Sequence, residues 1–470
     1  MKREMLRIHN LNTESKETTR LMNVSLCLMG GTNVGLLGLA HSGKSVLVEV
    51  LCGIERKYKG SIYIDEKRIL DFKENKNLVY RITNSNYMID DWTAAEYIGL
   101  VEAKSLFGFF DSKKLVEKTK QLFDMIGLNI NPNKKIKDLS ELEKRLVDLI
   151  KACSLGSKIV IIEDEFEGCS AEDIQHFRKL MDRTGTKERL ILVNCNSNNV
   201  QSILTDWCII FKKGWIVKKC KKEYIRSSTH LERFMLEQGI YSKKEDLDSY
   251  KIVPQTGQEV VMSMHHIILS SGERYQFNFC KATVYAVLTL NIKKKEELFR
   301  VLSGRSLERC EKLLIDGELC NYKNVMEYVE HKIVSIAHMG DKDELLQDMS
   351  AGENLLVPSL RKISTWEYIT SEHKMSKMLE KEFGTEVGAQ EQSVKFLTTN
   401  DCIGLILERW YVYKPKVLVL FEPFMNCDVY GVSLVKSYIK KFVEIDTAVI
   451  IVKSRIEYIE DISDQIIEIT

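Results

Sequence analysis

The residues best suited to chemistry lie in a short glycine-rich segment near the amino terminus. Within residues 34–51, VGLLGLAHSGKSVLVEVL, Gly38 and Gly43 bracket four residues and are followed by Lys44 and Ser45. In this pattern backbone N–H groups wrap a polyphosphate, the lysine neutralises the phosphates and the serine hydroxyl ligates Mg²⁺. The flanking apolar runs favour a strand before the loop and a helix after it, whose positive amino terminus faces the phosphates. We expect the phosphates of ATP to be bound by Gly38, His41, Ser42, Gly43, Lys44 and Ser45.

Composition limits what kind of protein can carry this loop. The chain has 470 residues, 44% of them hydrophobic and 29% charged, which predicts two or more folded domains and argues against disorder. A net charge of +1 disfavours a nucleic-acid partner. The 12 cysteines form no Cys-x-x-Cys pair, so a zinc site is unsupported and a reducing cytoplasm is expected. Because no uncharged apolar stretch approaches about 18 residues, any membrane spans must come from other chains.

The elements that must position the loop occur twice. Segment 53–65 recurs at 304–316, an offset of 251 residues. Other segments recur at offsets of 257 or 258 residues, namely 93–96 at 350–353, 158–164 at 416–422 and 206 at 464. Such a small drift implies duplication, with a first domain at 1–245, a polar linker from Ser242 to Gly257 and a second domain at 255–470. Apolar β-branched runs in both halves predict buried parallel strands alternating with helices, an α/β fold.

Two segments of the second half indicate a family. Residues 333–354, IVSIAHMGDKDELLQDMSAGEN, and residues 415–423, PKVLVLFEP, resemble the tandem-domain ATPase subunits of bacterial monosaccharide importers, which are ATP-binding cassette proteins. With the loop at residues 38–45, the resemblance covers nearly the whole chain. It implies two tandem P-loop nucleotide-binding domains, each a layered α/β core with a helical subdomain, that use ATP and Mg²⁺.

The resemblance also assigns residues to the first nucleotide site, which lies between the P-loop of one copy and the signature segment of the other. Its acidic pair falls on Glu163, as magnesium ligand beside Ser45, and Asp164, as base. A shift by one residue would give Asp164 and Glu165, but ungapped spacing to Leu139–Ser140 and to Asp206 favours the first register. The glutamine that senses Mg²⁺ falls on Asn84 and the switch histidine on Asn196. The signature position that the resemblance assigns to this site is Thr398 of the second copy, while Ser140 of the first copy belongs to the second site, and both lie in altered surroundings.

The second site is more strongly altered. Residues 289–296, TLNIKKKE, replace the P-loop and contain no glycine, so the backbone cannot form a phosphate nest. Lys295 takes the lysine position and Glu296 the place of the magnesium-binding hydroxyl. The run from Lys293 to Lys295 favours a solvated helix start over phosphate ligands. Phe421 replaces the magnesium carboxylate and leaves Glu422 at the position of the base. We expect no productive ATP binding at this site.

Taken together, the resemblance predicts an ATP-binding subunit of a sugar importer with weakened hydrolysis. Membrane permease subunits and a solute-binding protein are the implied partners, and cassettes could pair within one chain or between chains. The implied location is the cytoplasm, at the inner face of the membrane. The alternative is a non-transporting ATP-sensing regulatory or scaffold protein that descends from such a transporter, since both sites have lost family residues. Whether the chain is an enzyme depends on how far the altered sites still support hydrolysis.

Overall fold

The computed structural model describes residues 3–13, 20–72, 77–83, 88–99, 112–184, 188–224, 259–320, 325–359, 393–425 and 427–469. The chain divides into two compact units, Met1–Lys243 and Lys244–Thr470. Asn84 and the predicted linker from Ser242 to Gly257 lie outside the described residues.

The first unit combines an antiparallel sheet with a mostly parallel one. Its strands are β1 (Glu4–Thr13), β2 (Val24–Met29), β3 (Thr32–Leu37), β4 (Tyr58–Ile64), β5 (Lys67–Ile69), β6 (Val79–Thr83), β7 (Ile159–Glu163), β8 (Leu190–Val193), β9 (Trp207–Lys212) and β10 (Trp215–Lys221). Its helices are α1 (Lys44–Leu51), α2 (Ala94–Gly99), α3 (Ser112–Ile126), α4 (Glu141–Ser154), α5 (Ala171–Thr184) and α6 (Asn198–Leu204). The sheet orders are β2-β1-β4-β5 and β10-β9-β3-β8-β7-β6.

The second unit repeats this plan. Its strands are β11 (Val260–Ile268), β12 (Arg274–Cys280), β13 (Val284–Leu288), β14 (Cys310–Ile315), β15 (Glu318–Cys320), β16 (Ile333–Ile336), β17 (Val417–Phe421), β18 (Ala448–Lys453) and β19 (Gln465–Glu468). Its helices are α7 (Ile292–Leu302), α8 (Val325–Glu330), α9 (Ala351–Leu356), α10 (Thr399–Tyr413) and α11 (Val429–Glu444). The orders β12-β11-β14-β15 and β16-β17-β18-β13-β19 match those of the first unit, except that the edge strand β10 has no counterpart among the described residues of the second. The predicted α/β fold in two tandem copies is therefore confirmed.

Buried apolar strands form the core of each unit, as the β-branched runs predicted. Along β7, Ile159 and Ile161 belong to one apolar cluster while Val160 and Ile162 belong to another. All four side chains are 0% exposed. Because successive side chains of a strand point to opposite faces, this sheet is covered on both faces, as parallel sheets are. Strand β17 of the second unit alternates between two clusters in the same way.

The parallel strands bring the candidate site residues to one edge of the sheet. In the first unit, β3 pairs with β8 and β8 pairs with β7, all in parallel. The carboxyl ends of these strands, at Leu37, Val193 and Glu163, therefore lie side by side, and ligands of such sheets bind at this edge. Across the described ranges, every helix is either too short or too polar to span a bilayer.

Candidate nucleotide-binding site

The glycine-rich loop joins β3 to α1 in a conformation that its glycines permit. Gly43 has φ 105°, in the left-handed region, and His41 has φ 60°. A Cβ atom at Gly38 would lie 2.3 Å from the Ser42 hydroxyl oxygen and 2.7 Å from the backbone oxygen of Phe211. A side chain at Gly38 would therefore collide with the loop and with its neighbouring strand. The sequence pattern thus produces the tight strand–loop–helix turn that a phosphate nest requires.

The polar groups of this loop fit a phosphate ligand. Ser42 is 4% exposed, and its hydroxyl has no hydrogen-bond partner within the described structure. Ser45, in the first turn of α1, is exposed. A buried polar atom without a partner is costly unless a ligand or water satisfies it. Together with the positive end of α1, the loop is therefore chemically suited to a bound polyphosphate, with the Ser45 hydroxyl available to Mg²⁺.

Lys44 connects the loop to the next strand end through Asn196. The Lys44 ammonium donates a hydrogen bond to the Asn196 side-chain oxygen at 2.7 Å. The backbone N–H groups of Asn196 and Ser197 donate to the two carboxylate oxygens of Glu165, at 2.6 Å and 3.0 Å. The structure thus brings together the predicted residues Lys44 and Asn196, and it adds Glu165.

Glu165 has an environment that perturbs its ionisation. Burial raises the pKa of its carboxyl, and the N–H groups of Asn196 and Ser197 and the charge of Lys44 only partly oppose this rise. Ionisable groups with perturbed pKa values cluster at functional sites. Glu165 is therefore the acidic group that the described geometry associates with the loop.

The two predicted acidic residues have other partners. Glu163 accepts a hydrogen bond from Arg81 Nε at 2.6 Å and another from the Asn194 side chain at 2.8 Å. Asp164 is 4% exposed and forms a bidentate ion pair with Arg145, at 2.8 Å and 3.0 Å. Each carboxylate is thus already paired with an arginine.

Strand register explains how Glu165 reaches the site. Glu165 is the second residue after the end of β7, whereas Glu422 directly follows the end of β17. Both carboxylates nevertheless accept a hydrogen bond from the backbone N–H at the same repeat position, Asn196 in the first unit and Ser454 in the second. The first unit therefore contains one extra residue before its acid. The sequence does contain a signal for Glu165, because it is the last of three consecutive acids, Glu163 to Glu165. The alternative register, which pairs Asp164 with Glu165, includes it.

The signature positions form helix amino termini. Ser140 caps α4, with its hydroxyl accepting from the Glu143 N–H at 3.2 Å while the Glu143 carboxylate accepts from the Ser140 N–H at 2.8 Å. Thr398 caps α10 through the same reciprocal pair with Asp401. These capping boxes stabilise the helices. In both helices the capping partner is an acidic residue, so each signature position carries a negative charge within its own first turn.

In the second unit the phosphate loop is replaced by helix. Three residues, 289–291, separate β13 from α7, compared with six, 38–43, in the first unit. Helices α1 and α7 end at equivalent residues, Leu51 and Leu302, so α7 begins three residues earlier. Asn291 caps this start by accepting from the Lys294 N–H at 3.1 Å. The backbone N–H groups of Lys294 and Lys295 therefore donate to the side-chain and backbone oxygens of Asn291.

Lys295 is enclosed rather than solvated. Its side chain is 0% exposed, and the expected solvated helix start is therefore wrong at this residue, while Glu296 is exposed. Its ammonium lies 2.6 Å from the Glu422 carboxylate and donates to the Ser454 hydroxyl at 2.7 Å. Burial would raise the pKa of Glu422, but Lys295 and Lys453 outweigh this effect and hold it below its ordinary value.

Comparisons with known proteins agree with this geometry. Residues 21–166 match the protein-family model described as ABC transporter. The arabinose import ATP-binding protein of Mannheimia succiniciproducens is 24% identical, covering 98% of this chain and 92% of the relative. The ribose import ATP-binding protein of Clostridium perfringens is 21% identical, covering 98% and 93%.

A solved ABC transporter component from Clostridium perfringens is 15% identical with a TM-score of 0.43, covering 49% of this chain and 94% of that structure. Residues 21–166 thus match the ABC transporter family model, and the chain is similar along nearly its whole length to arabinose and ribose import ATP-binding proteins.

Proposed function

We propose that this chain is the ATP-binding subunit of a sugar-type importer, which binds Mg-ATP in its first unit and acts on separate membrane permease chains. The observation that carries the proposal is the loop from Gly38 to Ser45, which keeps its glycines, lysine and serine hydroxyl in a turn suited to phosphate. The length-wide similarity to sugar import ATP-binding proteins supports the importer role.

Within the first unit each group has a proposed part in binding. The loop N–H groups and Lys44 hold the phosphates, and Ser45 ligates Mg²⁺, which would neutralise phosphate charge. Lys44 exchanges its bond to Asn196 for the phosphates. Glu165 is the carboxylate that orients water, because Asp164 is held by Arg145 and Glu163 would have to release Arg81 to reach the metal.

We further propose that hydrolysis is slow. At the switch position the side-chain amide of Asn196 does not titrate near neutral pH, whereas the imidazole of a histidine does. The signature positions Ser140 and Thr398 each have an acidic capping partner, whereas phosphoryl transfer needs its developing negative charge neutralised. The second unit binds no nucleotide, because α7 and the Lys295–Glu422 pair occupy the place of its phosphate loop.

The decisive measurement is Mg-ATP binding and turnover on the purified chain with Lys44→Ala. Losing one charge-assisted phosphate contact costs about 1.5–3 kcal/mol, so the variant should bind Mg-ATP roughly 10- to 100-fold more weakly. The matched control changes the equivalent pair of the second unit, Lys295→Met with Glu422→Gln, and should leave binding unchanged at one nucleotide per chain. Equal affinity of Lys44→Ala and the unchanged chain would exclude the proposed site.

A second candidate function is a non-transporting ATP sensor, which the closed second unit favours, since a sensor needs only one binding site. The two functions separate on addition of a permease. Turnover that rises when permease chains are supplied in a lipid vesicle supports the importer, whereas binding without turnover in either state supports the sensor.

A further inference from the structure

An ion pair inside the first unit links the signature helix α4 to the acidic segment after β7. Arg145 Nε and Nη2 donate to the two oxygens of Asp164, at 2.8 Å and 3.0 Å. The two side chains are 3% and 1% exposed. Arg145 also donates to the Glu141 backbone oxygen at 3.0 Å. A buried bidentate pair of this kind has a single favoured geometry, so it fixes the distance between helix and segment.

The same aspartate fixes the backbone on the far side of Glu165. Oδ1 of Asp164 accepts a hydrogen bond from the Phe166 N–H at 2.6 Å. Phe166 has φ 55°, and its buried ring packs edge-on against Phe177 at 5.0 Å. The Arg145 guanidinium lies 5.3 Å from the Phe166 ring. Glu165 is therefore held between two anchored neighbours, and only its own side chain is directed to Asn196 and Ser197.

The second unit shows the arrangement without an arginine. Because Thr398 caps α10 as Ser140 caps α4, the residue five positions after the cap is Ile403 instead of Arg145. There the acid Glu422 follows its strand directly, with no extra residue. The first unit thus has both the arginine on its signature helix and the extra residue before its acid. The equivalent described segments of the second unit have neither.

From this geometry we propose that Arg145 and Asp164 are a positioning pair that holds the extra residue of the first unit and so sets Glu165 in the nucleotide site. The inference rests on the proposed ATP-binding function. Because Arg145 belongs to α4, the pair also couples any displacement of the signature helix to the acid. Arg145 itself does not touch nucleotide.

The test uses Arg145→Gln, Arg145→Lys and the neutral double variant Arg145→Gln with Asp164→Asn, each in the full chain. The double variant leaves no unpaired buried charge, which protects folding if Arg145→Gln alone does not fold. Each is also made in a Glu165→Gln background. The readouts are kcat, KM and the Kd for Mg-ATP.

We expect Arg145→Gln and the double variant to lower kcat at least ~10-fold with KM changed less than about twofold, since small misplacement of a reacting group is costly. Arg145→Lys, which can bridge only one oxygen, should recover part of the loss. Glu165→Gln removes a charge beside the phosphates and should tighten Mg-ATP binding roughly tenfold. In that background the Arg145 substitutions should change neither kcat nor Kd further.

Two results would overturn the inference: a double variant with the kcat and Kd of the unchanged chain, or an Arg145→Gln effect of equal size in the Glu165→Gln background. When hydrolysis is very slow, single-turnover measurement with the chain in excess of ATP gives the rate that decides the question. An unchanged chain that binds no Mg-ATP, or binds it no more tightly than Lys44→Ala does, would instead exclude the proposed function itself.

Discussion

Lys44 donates to the amide oxygen of Asn196, and this contact defines the chemistry available at the site. An amide can hold an ammonium group, but near neutral pH it neither takes up nor releases a proton. The acid that remains, Glu165, is bound by two backbone N–H groups and has a raised pKa. Under the proposed function, these groups favour retention of a nucleotide over its cleavage.

Asn196→His should raise ATP turnover, because an imidazole titrates near physiological pH and can assist proton transfer. We expect an increase on the order of tenfold, as general acid–base groups supply about 10²–10⁴ when fully placed. Steady-state phosphate release is the measurement. Asn196→Gln keeps an amide and serves as the control; a similar increase in both variants would show that the proton-transfer argument is wrong.

Helix and strand boundaries could be predicted well from the sequence where one physical signal dominates. The run Ile159–Ile162 gives β7, and the glycine loop gives the start of α1 at Lys44. The position of Glu165 could not be derived by counting. The residue added before it is compensated by one fewer between Glu165 and Ser170 than between Glu422 and the cap Asp428. Spacing measured from either side therefore leads to Glu163 and Asp164.

Ion pairs between residues that are distant in the sequence could not be predicted from it either. Arg145 reads as one charged residue of an amphipathic helix, and its burial depends on how α4 packs beside β7. Lys295 belongs to a basic run that resembles a solvated surface, yet the early start of α7 places it in the core. The local sequence pattern predicts that a segment is a helix, but which of its charged side chains become buried depends on how the helix packs in the fold.

At the start of α7, Lys295→Met should destabilise the second unit by about 3–5 kcal/mol, because Glu422 is left as a buried charge without its partner. Adding Glu422→Leu removes that charge, and the double variant should regain most of the loss. Denaturant unfolding of the full chain measures both changes. Single and double variants of equal stability would contradict the role assigned to the pair.

The two units share the order of their equivalent strands but place different groups between the first parallel strand and its helix. The first keeps an open loop with an exposed serine hydroxyl, and the second fills the same place with a lysine–glutamate pair. Beside that pair lies Lys453, whose ammonium donates to the Glu457 backbone oxygen at 2.6 Å. Its pKa is lowered to about 8, because burial outweighs the attraction of Glu422 and Glu457.

Lys453 makes the stability of the chain depend on alkaline pH. Between pH 8 and its unfolded pKa near 10.5 the unfolded state binds more protons, so the free energy of unfolding rises with pH. Below pH 8 the full penalty is present, on the order of 3 kcal/mol. Lys453→Met should therefore be more stable than the unchanged chain at pH 7, by a margin that shrinks toward pH 10. A margin independent of pH in denaturant unfolding would contradict the assignment.

The three-residue extension of α7 also constrains the history of the chain. A lost side chain can return by one substitution, but a phosphate loop replaced by helix cannot. Glycines would have to return, the first turn would have to unwind, and the capping by Asn291 would be given up before any benefit appeared. Losing the cap and unwinding the first turn would each lower the stability of α7, while a partly restored loop would form no phosphate nest in return. On the proposed function, the first unit is the copy with an open phosphate loop, and the second could gain one only through several changes made together.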